Sequence, residues 1–256
     1  MPGFQVVTMP VSQDKFQRKE KYSQKLAAKL IEKYQPYVLF SGGRDSLVTL
    51  HLVKRVSEAK KTKVLAVFVD TTNSTPGNKG YVVKICKKLK VKLKIVRPKE
   101  DFFSLVRKWG FPTVTRRWCC YHLKIEPLRR FFRKIDAPKI VFDGMRAEES
   151  PKRKTYPIIG WHKHFKSFNC HPIFYWSKND VTKYIELKGL EENSLYRIFP
   201  RATDCWCTAF KTVSQFKALK EHFPEFFQEF VELEKSLKTE GSALFRSGKK
   251  VYLKDM

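Results

Sequence analysis

Apolar and polar residues in the first part of the chain are spaced as expected for short buried strands that alternate with helices. The run Tyr37–Phe40 is apolar without polar alternation, which is typical of a strand buried on both faces of a parallel sheet. Apolar residues at helical spacing within a charged segment predict an amphipathic helix over Gln13–Tyr34. The other predicted strands are Lys63–Val69, Val91–Val96 and Lys139–Phe142, and the other predicted helices are Asp45–Glu58, Gly80–Lys88, Glu126–Lys134, Asp180–Lys188 and one or two within Ser214–Leu237.

The order of these elements predicts an α/β fold with a doubly wound parallel sheet, because strands that alternate with helices form βαβ crossovers. After residue 170 the alternation weakens and helical patterns dominate. We therefore expect an N-terminal amphipathic helix in residues 1–35, the α/β domain in residues 36–170, and a small α-rich C-terminal region in residues 171–256.

The first strand is followed by the loop Ser41-Gly42-Gly43-Arg44-Asp45-Ser46, which leads directly into a helix. The first backbone N–H groups of a helix have no partner within the helix, and glycines allow a ligand to approach the backbone closely. The loop therefore suits a phosphate group. An ordinary glycine-rich turn, with Asp45 or Ser46 capping the helix, is the alternative.

Two further polar segments follow predicted strands. Asp70 comes directly after the second strand, and the segment 143–153 follows the fourth. Since ligands of parallel sheets bind at the carboxyl ends of the strands, we expect these segments and the glycine loop to meet in one crevice. Taken alone, Asp70 also suits a turn cap, and Arg146 and Arg153 suit either an anion clamp or a surface salt-bridge loop.

Composition narrows the class of protein. The chain has 256 residues with 42% hydrophobic residues, which is enough for a sizeable core. No apolar run approaches the roughly 18 residues of a membrane span, and the N-terminus lacks a signal-peptide pattern, so a cytoplasmic protein without a membrane partner is expected. With 52 Lys and Arg against 25 Asp and Glu, the net charge is +27, which favours a nucleic-acid partner such as tRNA or DNA over a merely soluble basic surface. The composition does not predict an oligomeric state.

Cysteines occur in two groups that suggest a metal site. The adjacent pair Cys119 and Cys120 is separated by some 85 positions from Cys205 and Cys207. Four thiolates from two segments can complete a [4Fe-4S] cluster or, less favoured here, a zinc site. The alternative is that these cysteines are small buried core residues.

Several of these segments resemble those of a known family. The loop Ser41–Ser46 resembles the SGGxDS signature of the PP-loop adenine nucleotide alpha-hydrolases, and Asp70-Thr71 resembles their DTG segment, with Thr72 at the glycine position. Residues 144–153 match the G-x-R-x-x-E-S-x-x-R element of the PAPS reductase-like branch. Residues 119–128 resemble the CC-x-x-x-K-x-E-P-L run of iron-sulfur adenylyl-sulfate reductases and DNA-thiolating relatives. The second cysteine motif departs from the family, being C-x-C in place of C-x-x-C.

The resemblance implies an adenine nucleotide alpha-hydrolase-like fold in which residues 36–170 form the PP-loop domain. It implies ATP with Mg²⁺ and a [4Fe-4S] cluster as cofactors. The residues implied are Asp45, Arg146 and Cys207 for catalysis, Ser41, Gly42, Gly43, Arg44, Ser46, Asp70, Glu149, Ser150 and Arg153 for the nucleotide, and Cys119, Cys120, Cys205 and Cys207 for the metal.

Three functions fit these residues. ATP-dependent sulfur transfer to a nucleic acid, through adenylylation and release of pyrophosphate, is favoured because the loop is intact and the charge is strongly positive. Reduction of adenylyl sulfate or phosphoadenylyl sulfate to sulfite is the alternative; that branch attacks with a cysteine on a C-terminal tail, and no cysteine follows Cys207 in this sequence. Binding of a nucleotide or nucleic acid without turnover is the third. A sulfur donor protein or a thioredoxin-like reductant is an expected partner of the first two.

Overall fold

The structure, a computed structural model, describes residues 11–200, 204–237, 243–244 and 250–256. Its strands are β1 (Gln35–Leu39), β2 (Leu65–Val69), β3 (Lys92–Val96), β4 (Lys139–Phe142), β5 (Ile159–His162), β6 (Ser167–Cys170), β7 (Ala243–Leu244) and β8 (Lys250–Val251). Its α-helices are α1 (Val11–Ile31), α2 (Arg44–Ala59), α3 (Asn78–Lys88), α4 (Phe102–Trp109), α5 (Trp118–Cys120), α6 (Glu126–Phe132), α7 (Pro151–Lys154), α8 (Lys178–Leu187), α9 (Val213–His222) and α10 (Pro224–Ser236).

Six strands form one sheet in the order β3-β2-β1-β4-β6-β5. All neighbours are parallel except β5 and β6, which are antiparallel, so β5 is an edge strand. The predicted α/β fold with a mostly parallel sheet is confirmed. Strand order reverses at β1, whose neighbours are β2 on one side and β4 on the other, and a crevice at the carboxyl ends of β1 and β4 is expected from this topology.

Helices cover both faces of this sheet because successive strand residues point to opposite sides. Val38 and Phe40 pack into a cluster that includes residues of α1, α2, α3 and α8. Tyr37 points the other way and packs with Phe132 of α6, ring centroids 5.4 Å apart. The sheet is therefore doubly wound, as the sequence predicts.

A second apolar cluster lies beside the sheet. It joins Phe102 of α4 to Trp206, Phe216 of α9 and Phe230 of α10. The helix α8 packs with the sheet, and Tyr184 is fully buried there. Packing therefore changes from the first cluster to the second near residue 190 rather than at the expected boundary near residue 170, and residues 102–123 also belong to the second cluster. The part of the expected N-terminal helix before residue 11 lies outside the described residues.

Two strands fall where the sequence shows only a basic and aromatic stretch. The segment Ile159–His162 has only four residues, and its two apolar residues, Ile159 and Trp161, are exposed, so it lacks the apolar run that predicts the other strands. None of the helices in the described ranges is both long enough and apolar enough to cross a membrane.

The loops after β1 and β4 touch where strand order reverses. A Cβ atom at Gly144 would lie 2.6 Å from the backbone carbonyl carbon of Asp45 and 2.8 Å from the backbone nitrogen of Ser46. Only glycine allows the loop after β4 to approach the first turn of α2 this closely.

We predict that Gly144→Ala destabilises the protein by about 2–3 kcal/mol, which lowers Tm by about 5–10 °C for a chain of this size. The added methyl group meets backbone atoms, which cannot rotate away. Gly80→Ala is the matched control: Gly80 is exposed within α3 and a Cβ there meets nothing within 4 Å. Thermal unfolding of both variants measures the difference, and equal Tm values would contradict the close approach.

Candidate functional site

The glycine loop has the backbone geometry of an anion cradle. Gly42 has φ +89°, in the left-handed region that favours glycine, and a Cβ there would lie 2.4 Å from Oδ1 of Asn78. Gly43 is the residue before the first turn of α2. The Ser46 hydroxyl donates to the Gly43 carbonyl at 2.9 Å and accepts from the Ser41 backbone N–H at 3.3 Å, so it closes the loop on itself. The N-terminus of α2 thus faces the crevice at the carboxyl end of β1.

Three side chains from distant parts of the chain brace this loop. Asn78 donates to the Ser41 carbonyl at 3.1 Å, and Asn193 donates to Oδ1 of Asn78 at 2.8 Å. The Tyr196 hydroxyl accepts the backbone N–H of Arg44 at 3.0 Å. The Arg44 side chain turns away, since its guanidinium lies over the Tyr196 ring and pairs with Glu192 at 2.8 Å. In this arrangement Arg44 supports the loop from outside.

Arg146 joins the loop after β4 to the first turn of α2. Its Nε lies 2.8 Å from the Asp45 carboxylate, and its Nη1 lies 2.8 Å from Glu148. Nη1 also donates to the Trp176 carbonyl at 3.3 Å. The Arg146 side chain is 9% exposed and Asp45 is 31% exposed, so the carboxylate still reaches the crevice.

The other residues of the 143–153 segment bond mainly within it. Glu149 accepts the Arg146 backbone N–H at 3.0 Å and pairs with Arg153. The Ser150 hydroxyl accepts the Arg153 backbone N–H at 3.2 Å and caps the short helix α7. Glu149 and Ser150 therefore shape the loop, whereas Arg153 is 40% exposed and lines the large cavity described below.

Asp70 lies at the tip of β2 and is held by cations. Arg97 donates to it at 2.9 Å, Lys79 lies 3.3 Å away, and the Thr72 N–H donates to Oδ1 at 3.2 Å. Burial opposes ionisation, but these partners outweigh it and lower the pKa of Asp70. Thr72 has φ +65°, so this residue adopts the backbone conformation expected of the glycine at its position in the resembling family.

The two cysteine groups meet in space. Cys119, Cys120, Cys205 and Cys207 all line one cavity, and the thiols of Cys119 and Cys207 are close enough to shift each other's pKa. Cys119 and Cys120 lie on α5 directly before the π-helical turn Tyr121–Ile125. The fold thus brings together the four thiols that the sequence singles out, including Cys207 of the shortened motif.

The four thiols differ in acidity. The Cys119 hydrogen bond and the Arg117 guanidinium, 3.6 Å from the sulfur, lower the pKa of Cys120 to about 6 against the effect of burial. The hydrogen bond to Cys120 raises the pKa of Cys119 to about 12, and that to Cys119 raises the pKa of Cys207. Cys207, expected to be catalytic, is 5% exposed. Of these four thiols, Cys120 is the one whose pKa is lowered.

The segment that carries the second motif is fixed to the loop after β2. The Asp204 carbonyl accepts from the Thr71 and Ser74 hydroxyls at 2.9 and 2.8 Å. Trp206 is fully buried and donates through Nε1 to Thr75 at 2.7 Å. Side chains alternate along an extended chain, which places Cys205 and Cys207 together on the side opposite Trp206.

A cavity of 820 Å³ lies between this segment, the loop after β2 and α7. Thr71 and Arg153 line it together with all four cysteines. Lys124, 2.8 Å from Asp204, also lines it, and the Asp204 charge raises the pKa of Lys124 well above its usual value despite burial. Cationic side chains therefore surround the thiols.

The thiols do not form a site for a single metal ion. No group of three or more His, Cys, Asp and Glu side chains in the part of the chain that the structure describes is arranged to hold one. All four thiols nevertheless line one cavity, so the metal that the sequence predicts, a [4Fe-4S] cluster or zinc, stays a prediction.

Several residues of the crevice carry no sequence signal. His171 Nδ1 lies 2.6 Å from the Asp143 carboxylate at the adjoining ends of β4 and β6. Asn78, Asn193 and Tyr196, which brace the glycine loop, are ordinary polar residues in unremarkable segments. Only the fold shows that they meet.

Relatives of this chain include proteins named for sulfur metabolism. An uncharacterized protein of Methanocaldococcus jannaschii is 28% identical over 228 residues, 87% of this chain and 54% of that protein. A second uncharacterized protein of that organism is 31% identical over 196 residues, 75% of this chain and 40% of its own length. Adenosine 5'-phosphosulfate reductase of Staphylococcus epidermidis is 26% identical over 160 residues, 61% of this chain and 63% of the reductase. The chain spans about half the length of the first two relatives.

Solved structures share the fold. The phosphoadenylyl-sulfate (PAPS) reductase of Candida auris, in a phosphate complex, superposes with a TM-score of 0.54 at 20% identity, covering 74% of this chain and 93% of that one. The FMN adenylyltransferase of Candida glabrata, with FAD and inorganic pyrophosphate, superposes with a TM-score of 0.58 at 15% identity, covering 75% of this chain and 65% of that one. At these identities the likeness shows the fold alone, which is the expected adenine nucleotide alpha-hydrolase fold.

The family follows from a match over most of the chain. The model of the phosphoadenosine phosphosulfate reductase domain matches residues 35–210. This range begins with β1 and ends just after the second cysteine motif, so it contains the glycine loop, Arg146 and all four thiols of the cavity. The chain belongs to the phosphoadenosine phosphosulfate reductase domain family.

Proposed function

We propose that this protein binds an adenine nucleotide at the glycine loop and acts on a sulfur atom at the four-thiol cavity. One observation carries the proposal: the hydroxyls of Thr71 and Ser74, in the loop after β2, are bonded to the backbone of Asp204, next to Cys205. The loop that borders the nucleotide crevice is therefore attached to the segment that carries two of the thiols.

The crevice offers the groups that a nucleotide phosphate needs. The first turn of α2 supplies backbone N–H groups and a positive helix end, and the Ser41 and Ser46 hydroxyls lie beside it. Arg146 fixes the loop after β4, and Arg153 presents a guanidinium to the cavity. A nucleotide with its phosphates on α2 would extend its reactive end toward Arg153 and the thiols.

Reduction of a sulfonucleotide is the first candidate reaction, because relatives at 24–26% identity are named adenosine 5'-phosphosulfate or phosphoadenosine 5'-phosphosulfate reductase. A thiolate attacks the sulfur of the sulfonucleotide, which breaks the S–O bond to the phosphate, releases the nucleotide monophosphate and leaves an S-sulfonated cysteine. A second thiol then displaces sulfite and forms a disulfide, which a thioredoxin-like partner reduces. Cys86 and Cys170 are buried, with pKa values raised by burial, and do not suit this role. When the four cavity thiols hold a cluster, the attacking thiol would have to come from outside this sequence, because its six cysteines are these four with Cys86 and Cys170.

ATP-dependent sulfur transfer to a nucleic acid is the second candidate, and Asp45 favours it. A carboxylate in the first turn of a phosphate-binding helix repels a metal-free anion, whereas it can bind Mg²⁺ carried by ATP. Arg146 offsets part of the Asp45 charge at 2.8 Å. The net charge of +27 suits a polyanionic acceptor.

A [4Fe-4S] cluster fits the donor set of the cavity. Its ligands would be Cys119, Cys120, Cys205 and Cys207. It would supply electrons and charge next to the sulfur atom of the bound substrate. Arg117 and Lys124 would offset the negative charge of four thiolates. In that state none of the four thiols is free to attack the substrate.

We predict that Asp45→Asn separates the two candidate reactions. If the protein uses Mg²⁺-ATP, the variant loses about 10²-fold or more of its pyrophosphate release in the presence of tRNA or DNA, because the amide keeps the shape but does not bind the cation. If the protein reduces a sulfonucleotide, sulfite release from adenosine 5'-phosphosulfate with a dithiol reductant survives the change, because Arg146 keeps Glu148 and the Trp176 carbonyl as partners; circular dichroism of the variant checks that it is folded at the assay temperature.

The matched control is Glu58→Gln, a carboxylate at the other end of α2 that pairs with Lys54. It should leave either activity unchanged. Wild-type protein that releases neither pyrophosphate nor sulfite would contradict the proposed function.

We also predict that protein purified without oxygen is brown and contains iron and acid-labile sulfide, and that Cys120→Ser or Cys205→Ser loses them. Cys170→Ser is the matched control, because Cys170 is a fully buried residue of β6 that does not line the thiol cavity. Colourless, iron-free wild-type protein, or equal iron content in all variants, would contradict cluster binding.

A further inference from the structure

A second groove lies between α1 and the segment 172–176, and no residue that lines it also lines the thiol cavity. We call it the α1 groove; its volume is 650 Å³ and its walls include Lys15, Arg18, Tyr22, Pro172, Tyr175 and Trp176. Neither candidate reaction described above uses this groove.

Buried hydrogen bonds fix both walls of the α1 groove. The Ser23 hydroxyl is fully buried and donates to the Pro172 carbonyl at 2.6 Å. Trp176 donates through Nε1 to the same hydroxyl at 3.0 Å and packs edge-on against Phe16. The groove is therefore preformed, so a ligand need not order it on binding.

Two aromatic rings are presented to solvent in this rigid setting. Tyr22 is 47% exposed and Tyr175 is 57% exposed, although both belong to well-packed segments. Their ring centroids are 6.4 Å apart and their planes meet at 50°. The ring faces that point away from each other are open to a flat ligand, as in proteins that stack the bases of single strands.

The charge around the α1 groove is positive. Lys15 and Arg18 are exposed on the same helix as Tyr22. Among the described side chains, Asp180 pairs with Lys19, which also lines the groove, at 2.6 Å, and Glu20 pairs with Lys188 at 3.2 Å. An anionic ligand would meet little repulsion.

The α1 groove also shares a wall with the nucleotide crevice. The Trp176 carbonyl accepts from Arg146, and the Phe174 carbonyl accepts the Ala147 backbone N–H at 2.9 Å. Tyr175 lies between these two residues in the chain. A strand bound on Tyr175 would therefore run beside the loop that holds Asp45.

We infer that the α1 groove binds a single-stranded segment of nucleic acid, with bases stacked on Tyr175 and Tyr22 and phosphates beside Lys15 and Arg18. Bases in a duplex stack on each other and do not reach such rings, which is why the occupant is single-stranded. This inference goes beyond sulfonucleotide reduction. For ATP-dependent sulfur transfer, the inference rests on the proposed function, and the α1 groove is then the place where the nucleic acid that accepts the sulfur binds.

Fluorescence anisotropy tests whether the α1 groove binds single strands. The labelled ligands are uridine-only RNA and thymidine-only DNA of about 12 nucleotides, and a duplex of equal length is the competitor. We expect wild-type protein to bind one or both single strands and the duplex more weakly. The double variant Tyr22→Ala/Tyr175→Ala should bind at least about 25-fold more weakly, because each of the two stacked bases contributes about fivefold or more. The double variant Tyr22→Phe/Tyr175→Phe should keep wild-type affinity, since it keeps both rings.

Trp161→Ala is the remote control, because Trp161 is 60% exposed on the edge strand β5. It should bind as wild type does. Wild-type affinity in the alanine double variant, a loss confined to Trp161→Ala, or preference for the duplex would overturn the α1 groove while leaving a nucleic-acid acceptor in place. Wild-type protein that binds no oligonucleotide would overturn the groove and the nucleic-acid acceptor together, and sulfite release would then test the reduction separately.

Discussion

The crevice depends on the ion pairs and the hydrogen bond of one buried side chain, that of Arg146. Its guanidinium is almost entirely removed from solvent and binds Asp45 of α2, Glu148 of its own loop and the Trp176 carbonyl. Three loops that follow β1, β4 and β6 are thereby fixed to one side chain. Leaving a buried charge without its partner costs about 3–5 kcal/mol in fully buried pairs and less where, as with Asp45, one partner is partly exposed. The close approach of Gly144 to α2 is the steric counterpart of this pair.

A second set of contacts links the crevice to sulfur chemistry. In the loop after β2, Asp70 pairs with Arg97 and Lys79. The Thr71 and Ser74 hydroxyls of the same loop donate to the Asp204 carbonyl. Trp206 then anchors the short motif in the second apolar cluster. Through these contacts the α/β sheet and the C-terminal helices, which have separate cores, contribute to one cavity.

Sequence patterns predict the sheet and the glycine loop well because both depend on local signals. The apolar run Tyr37–Phe40 predicts a buried strand. Gly42 has a positive φ, so the loop requires a glycine at this position. The contact of Asn193 with Asn78 and that of Tyr196 with Arg44 join residues more than 100 positions apart and leave no local trace. The meeting of the two cysteine groups is predicted only as a shared metal site. The helix α8 is predicted, but the core that it joins is not, because it follows the weakening of the strand–helix alternation.

A crystal structure of the protein with adenosine 5'-phosphosulfate bound tests most directly whether the crevice and the thiol cavity form one site. We predict that the phosphate lies against the Ser41–Ser46 loop at the N-terminus of α2 and that the sulfate points into the cavity lined by Arg153 and Cys120. A nucleotide bound away from α2, or one whose sulfate points away from the thiols, would contradict a single site for nucleotide binding and sulfur chemistry.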